Sequence, residues 1–376
     1  MRVAVIIDSL KLGGAQKLVA TFAVSASIQR IETTVISLSD QNAKAIFEVI
    51  EAAGVHVVQF PARSLKDLQR LWRLTRFISN EKFDLIHTHL SHANILGSLV
   101  GFFTRTPVVA TLHSTGDDPN QQSFMVQIIE NICLRYFVTR IIVVGYSVMD
   151  AHANRNGGRQ VEIIPNAVPI QEPVSNEIRA IVRREIVGDS TRRIVITVGR
   201  FVHAKGYEDM IDAFVSIHRK HPEAVLVMVG SGILFPKIKM KVYDLQLTDS
   251  VYLLGERKDT SRLLAAGDVY ASSSNREGLP VAVLEAMMAG LPVVGTNVGD
   301  MAKVVTDEIG RIVPPHHPEL LAEAIDELLN APEKIPLMGK AARLSDMQEY
   351  SVELWMARHA ALYKEILNSK GHLTPI

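Results

Sequence analysis

The stretch Ser273 to Pro292, SSNREGLPVAVLEAMMAGLP, sets two glutamates, Glu277 and Glu285, around one short helix signal. Pro280 suits a first helical turn and Gly290 with Pro292 marks an end, which predicts a helix of about Val281 to Ala289. Glu277 then lies in the loop before it. Glu285 lies a turn inside, and because helical side chains tilt toward the N-terminus its carboxylate can point back to the same place. Such a helix start offers backbone N–H groups to a phosphate and two carboxylates to hydroxyl groups. A plainer alternative makes Glu277 a helix-start charge and Glu285 a surface residue. The apolar run Val281 to Leu284 weighs against it, since a carboxylate among buried positions needs a partner.

Two cations, Arg200 and Lys205, follow a strand signal in VGRFVHAKGYEDMIDAF. They suit a diphosphate, Arg200 through forked donors and Lys205 as a point charge, or they are ordinary solvated loop charges. In DSLKLGGAQKL, Asp8 to Leu18, the pair Gly13 and Gly14 lets backbone approach a phosphate or sugar oxygen, or simply makes a tight strand-to-helix turn. It is not the dinucleotide GxGxxG, which removes the main support for a hydride-transfer enzyme. His87, His89 and His92 lie close in sequence, but no Asp, Glu or Cys stands beside them to complete a metal site. Packing and a ligand-binding role for His89 or His92 are the readings that stay open. Asp117 and Asp118 lack the spacing of a metal-holding carboxylate pair and read as loop solvation.

These groups need elements to position them. Short β-branched runs alternate with helical patterns, the signal of βαβ units and parallel sheets. One series runs Val3 to Ile7, Thr34 to Ser37, Val55 to Phe60, Leu85 to His87, Val108 to Leu112, Ile141 to Val144 and Glu162 to Ile164. A second starts afresh with Ile194 to Val198, Val225 to Val229, Val251 to Leu254, Val269 to Ala271, Val293 to Gly295 and Arg311 to Val313. The fold class is therefore α/β, two doubly wound Rossmann-like domains facing each other across a cleft, with a proline-marked hinge in Pro165 to Arg193. The expected boundaries are residues 1–169, residues 170–350, and a terminal helix in 351–376 packing back on the first domain. Ligands of such sheets bind outside the carboxyl ends of the strands.

Composition bounds the rest. A chain of 376 residues has room for two cores, and forty Lys plus Arg against forty Asp plus Glu leave no global field to draw it onto nucleic acid. Its single cysteine, Cys133, forms no internal disulfide and reads as a buried core residue in a reducing compartment. Val3 to Ile7 is too short for a signal-peptide core, and Ile95 to Phe103 falls well below a spanning helix. The expectation is a cytoplasmic chain, soluble or on the inner face of the membrane. Leu65 to Ile78 is a basic amphipathic segment with Lys66, Arg70 and Arg73 near one face, which would bind a membrane surface or merely cover a sheet. Trp72 and Trp355 read as packing residues.

The loop at Gly13 and Gly14, GRFVHAKG at Gly199 to Gly206, and EGLPVAVLE with its two glutamates together resemble the retaining GT-B glycosyltransferases of the GT4 group. VEIIPNAV at the hinge and DLIHTHLSHAN in the first domain resemble it too, although Ala167 stands where the hinge motif usually has glycine. The resemblance covers essentially the whole chain. It implies transfer of a hexose-type sugar from a nucleotide-sugar, first of all a UDP-sugar, to a glycan, lipid-linked or small-molecule acceptor. The donor is a substrate, and neither a cofactor nor a metal is required. By matching position Arg200 and Lys205 would bind the diphosphate, Glu285 the ribose, and Glu277 the sugar hydroxyls beneath the anomeric centre. The backbone of Gly278, Leu279, Pro280 and Val281 would meet the phosphates, and that of Glu256 and Arg257 the base, near the GxG loop of Gly230. His113 would reach the transferred sugar and Gly14 the phosphate. Acceptor contacts would fall to His89, His92 and Asn94. A nucleotide-sugar epimerase of the same architecture and an inactive nucleotide-binding partner subunit are the rival readings.

Overall fold

The computed structural model describes residues 1–61, 67–116, 124–155 and 157–370. Asp117, Asp118, Leu65 and Lys66 lie outside them. Two compact units divide the chain, Met1–Ala167 with the helix Val352–Lys370, and Val168–Ser351.

The first unit carries a parallel sheet of strands β1 (Arg2–Ile7), β2 (Glu32–Ser37), β3 (His56–Gln59), β4 (Leu85–His89), β5 (Val108–Leu112), β6 (Arg140–Val143) and β7 (Val161–Ile163), in the order β3-β2-β1-β4-β5-β6-β7. The strands are apolar on both faces because helices cover both. β4 runs two residues beyond the expected His87: Thr88 and His89 pair with Ile6 and Ile7 of β1 and with Ala110 and Thr111 of β5. Central position, not side-chain polarity, sets that length. The terminal helix packs Trp355, His359 and Tyr363 around Phe22, with ring centroids 5.9, 5.6 and 6.3 Å away.

The second unit carries β8 (Arg193–Val198), β9 (Ala224–Val229), β10 (Val251–Gly255), β11 (Val269–Ser272), β12 (Val293–Thr296) and β13 (Gly310–Val313), in the order β10-β9-β8-β11-β12-β13, again parallel. Val195, Leu226, Val269 and Val294 pack with the helices Tyr207–Lys220 and Pro318–Asn330 in its core.

Two surface expectations need correction. The basic segment forms the helix Leu68–Glu81, but Arg70 turns inward and is 5% exposed, so Arg70 and Arg73 do not share an outer face. Trp72 is 60% exposed with the Arg76 guanidinium over its ring, and so it packs in no core. Trp355 is buried and Cys133 is buried, its thiol pushed up to about 11 by burial.

One buried charge has a measurable consequence. Asp346, in the helix Lys334–Glu349, is fully buried with both carboxylate oxygens lacking a hydrogen-bond partner among the described residues, and burial pushes its pKa up to about 8. Between the ordinary value of 3.8 and about 8 the unfolded chain ionises this group while the folded chain keeps its proton. Stability therefore falls as pH rises through that window. Asp346→Asn is expected to flatten the pH dependence of the melting temperature and to be more stable than wild type at pH 8 by about 1 to 3 kcal/mol. A variant whose melting curve tracks wild type at every pH would show that Asp346 is not protonated in the folded chain.

Candidate functional site

In the second unit the loops at the carboxyl ends of the strands are locked together by glycines. After β8, Gly199 donates to Val229 O at 3.0 Å and Phe201 to Ser231 O at 2.9 Å, bringing this loop against the one after β9. The fit leaves no room for a side chain: a Cβ on Gly230, whose φ is +134°, would stand 1.9 Å from Gly199 O. Gly230 N in turn donates to Gly255 O at 2.8 Å, joining the end of β10. There Glu256 is exposed, while Arg257 is held by Asp259 through two bonds of 2.8 and 2.7 Å, so its side chain is engaged and its backbone is what remains to be offered.

The loop after β11 is gripped from two sides. Gly206, at φ +58°, would drive a Cβ to 2.1 Å from Ser273 O, and Gly299, also at φ +58°, would drive one to 2.3 Å from Gly278 O. Asp300 N holds Gly278 O at 3.0 Å, and Thr296 Oγ1 donates to Ser274 O at 2.5 Å. Within this frame Lys205 Nζ donates to Glu277 Oε1 at 2.5 Å and Ser274 Oγ donates to the same oxygen at 2.7 Å. Lys205 and Glu277, 72 positions apart, form one ion pair with side chains 21% and 12% exposed. The loop passes into the helix Val281–Met288, whose N-cap is Pro280 and whose start has no side-chain cap.

Val283, Leu284, Ala286, Met287 and Met288 are the buried face of that helix, and Glu285 shares the half-buried face with Val281 and Ala282. Glu285 and Glu277 both act on Tyr270, whose phenol is pushed well above its ordinary value by burial first, then by Tyr207 and these two carboxylates. The two glutamates are thus close to one buried ring. Arg200 is exposed, and its guanidinium pairs with no side chain among the described residues. Lys205 and the uncapped helix start favour an anion, Arg200 stands exposed on the same loop as Lys205, and the carboxylates favour hydroxyl groups.

In the first unit the ends of β1, β4 and β5 form a second cluster. Asp8 accepts from Ala93 N at 2.7 Å and from His92 Nδ1 at 3.0 Å, and that hydrogen bond raises the His92 pKa. His89 Nδ1 and His113 Nε2 lie 2.9 Å apart. Burial keeps both rings neutral, His89 well below its ordinary value and His113 at about 4, so one proton sits between them. The outer nitrogens, His89 Nε2 and His113 Nδ1, are buried with no hydrogen-bond partner among the described residues, and at 2% exposure His89 is closed to the acceptor contact expected of it. His87 is a packing residue, bonded to Thr111 Oγ1 at 2.7 Å and to the Tyr363 hydroxyl at 2.6 Å.

Gly14 is exposed at the start of the helix Gly14–Ser25. Asn94 does not join this group. It is 1% exposed, with its Oδ1 taking the Thr88 hydroxyl at 2.8 Å and its Nδ2 donating to Glu130 at 2.8 Å, so an acceptor contact is closed to it. Its type and its place after HTHLSH attracted the assignment, but helix phase turns it into the interior. Sequence reasoning passed over Asp8, Ser274 and Gly299. A polar residue or glycine just after a strand end was the available signal. Among the described residues no group of three or more His, Cys, Asp or Glu side chains is arranged to hold a metal ion.

Known proteins match this arrangement. The family description Glycosyl transferases group 1 matches residues 179–345, and Glycosyltransferase Family 4 matches residues 12–172. Together they take in most of the chain, which belongs to this GT4 group of glycosyltransferases. It is 24% identical over 336 residues to the N-acetyl-alpha-D-glucosaminyl L-malate synthase of Bacillus anthracis, covering 85% of this chain and 84% of that protein. It is 27% identical over 256 residues to the UDP-Gal:alpha-D-GlcNAc-diphosphoundecaprenol alpha-1,3-galactosyltransferase of Escherichia coli, covering 65% of each. The crystal structure of HepE from Anabaena in complex with UDP and glucose superposes with a TM-score of 0.86 at 20% identity, over 97% of this chain and 100% of that one. That likeness establishes the fold, which is GT-B.

Proposed function

We propose that the chain is a retaining hexosyltransferase that uses a UDP-sugar and needs no metal ion. The observation that carries this reading is the Lys205–Glu277 pair, held at 2.5 Å beside an uncapped helix start. When a sugar leaves a nucleoside diphosphate, negative charge grows on phosphate oxygens and positive charge on the anomeric carbon. Lys205, Arg200 and the backbone of Gly278 to Val281 meet the first, and Glu277 lies beside the second. Glu285 takes the ribose hydroxyls. The backbone of Glu256 and Arg257 takes the base, with Gly230 letting the chain approach closely. In the first unit His113 meets the transferred sugar, Gly14 the phosphate, and His92 the acceptor. The acceptor oxygen bonds to the anomeric carbon on the face from which the diphosphate departs, and its proton passes to the departing phosphate oxygen. Glu277 orients the sugar and forms no covalent bond.

The preference for uridine is supported by the UDP-galactose relative and by the UDP complex of the HepE structure. The same relative makes a lipid-linked acceptor the first to try. A thermal-shift series with UDP-, GDP- and ADP-sugars tests the donor, since a ligand at 100 times its dissociation constant adds about 2.7 kcal/mol. Stabilisation by UDP-sugars alone is expected. No shift with any of them would remove the reading. In the same assay Glu285→Ala is expected to weaken donor binding about tenfold or more, as the ribose loses a charged acceptor worth about 1.5 to 3 kcal/mol. Unchanged donor affinity with a lower melting temperature would make Glu285 a structural residue.

A further inference from the structure

The helices Leu68–Glu81, Ser91–Thr104 and Phe124–Tyr136 connect β3 to β4, β4 to β5 and β5 to β6. Right-handed crossovers in the observed strand order place all three on one face of the sheet. Ser91–Thr104 packs against both neighbours and is buried along most of its length, as the middle helix of such a layer should be. Phe124–Tyr136 is not built like an ordinary outer helix. The side it turns to solvent consists of Phe124, Met125, Ile128, Ile129, Ile132 and Tyr136, with Phe124 73% and Tyr136 60% exposed. At the end of the neighbouring helix Phe102 and Phe103 are exposed as well, and Phe102 lies 5.1 Å from Phe137, ring to ring. A contiguous apolar surface of this kind marks a contact with something apolar.

The charges beside it indicate what. Phe124–Tyr136 has one acidic residue, Glu130, buried in a 2.8 Å pair with Arg155, and Ser91–Thr104 has none. Neither helix therefore exposes a carboxylate. Arg135 is exposed at the last turn with its guanidinium by the Tyr136 ring, and Arg159 donates to Arg135 O and Tyr136 O at 3.0 and 2.9 Å. Arg105 caps the neighbouring helix two positions after Phe103. An apolar helix face edged by arginine and tyrosine, with no exposed acid of its own, suits an interface that is apolar within and anionic at its margin.

The geometry points to the outer face of Phe124–Tyr136 as a docking surface for an anionic lipid bilayer. The helix lies in the headgroup plane with Ile128, Ile129 and Ile132 directed toward the acyl chains, while Arg135 and Arg159 meet lipid phosphates. A second copy of the chain fits less well, because the same helix facing itself brings apolar surface but no counter-charge for these arginines. The surface also differs from the one expected from sequence, the basic side of Leu68–Glu81, whose Arg70 turns inward. The inference does not depend on the donor assignment, so either can fail alone.

Co-sedimentation of the full chain with phosphatidylglycerol-rich vesicles, against pure phosphatidylcholine vesicles, tests it. Binding to the anionic vesicles alone, weakened by salt, is expected. Arg135→Gln with Arg159→Gln is expected to reduce binding about thirtyfold, from ~1 kcal/mol per cation at a charged surface and a tenfold change per 1.4 kcal/mol. Ile128→Glu with Ile132→Glu should reduce it further, and because both positions face solvent the melting temperature should hold. Equal binding to both vesicle types, or binding that the isoleucine substitutions leave unchanged, overturns the proposal. So does a dimer in sedimentation velocity that these substitutions dissociate while vesicle binding is absent from wild type, since the face would then belong to a second copy.

Discussion

Lys205→Ala is expected to lower turnover about a hundred- to a thousandfold, the roughly 3 to 4 kcal/mol typical of deleting a donor aimed at a developing oxyanion. The departing diphosphate gains charge that must be met where water is scarce, and Lys205 is the partly buried cation of this loop set. Its removal also takes the cationic partner from Glu277, leaving that carboxylate with the Ser274 hydroxyl at 2.7 Å. Some loss of melting temperature should therefore accompany the loss of rate. Lys205→Arg keeps the charge but not the compact geometry, and recovery of stability without full recovery of turnover is expected from it. Steady-state rates for the three proteins, measured with and without excess EDTA, check both parts. Wild-type turnover should survive chelation, because Lys205, Arg200 and the helix start already supply the positive charge. Collapse of wild-type activity in EDTA with rescue by magnesium or manganese would transfer that task to an ion and refute the charge assignment.

Glu277→Gln should separate binding from chemistry. The substitution keeps shape and the capacity to accept from Ser274, but removes the negative charge beside the sugar centre that becomes positive. Most turnover should be lost. The free chain ties Lys205 to Glu277 at 2.5 Å, so neutralising the glutamate releases the lysine toward an anion. Affinity for UDP should accordingly stay level or tighten while the rate falls. Isothermal titration with UDP beside single-turnover rates reads the two quantities independently. A variant with wild-type turnover would remove Glu277 from the site, and one with weakened UDP binding and an unchanged rate would make it a phosphate-loop support only.

The strand positions were legible in the chain because a strand covered on both faces must be apolar throughout, and the runs such as Val108 to Leu112 coincide with β5. The short helix at Val281 was legible because proline and glycine punctuate it. Glu277, Lys205 and Arg200 could be read as candidates by their place after strands, but their pairing could not. Lys205 and Glu277 stand 72 positions apart and meet only because Gly206 and Gly299 let two other backbones close on the loop between β11 and the helix. Asn94 shows the opposite case, a residue of suitable chemistry at a suitable place that helix phase turns to the interior.

From its sequence alone this chain specified two parallel α/β units and the loops that carry its charged groups, since period, apolar runs and turn residues are local signals. Which side chains touch, which are buried and which face solvent was decided by tertiary structure. The neutral His89–His113 pair comes from the register of β4 against β5, the inward Arg70 from helix phase, and the raised pKa of Asp346 from burial with no hydrogen-bond partner among the described residues. The exposed face of Phe124–Tyr136 has the same origin, because an apolar helix reads alike from sequence whether a partner helix covers it or nothing does.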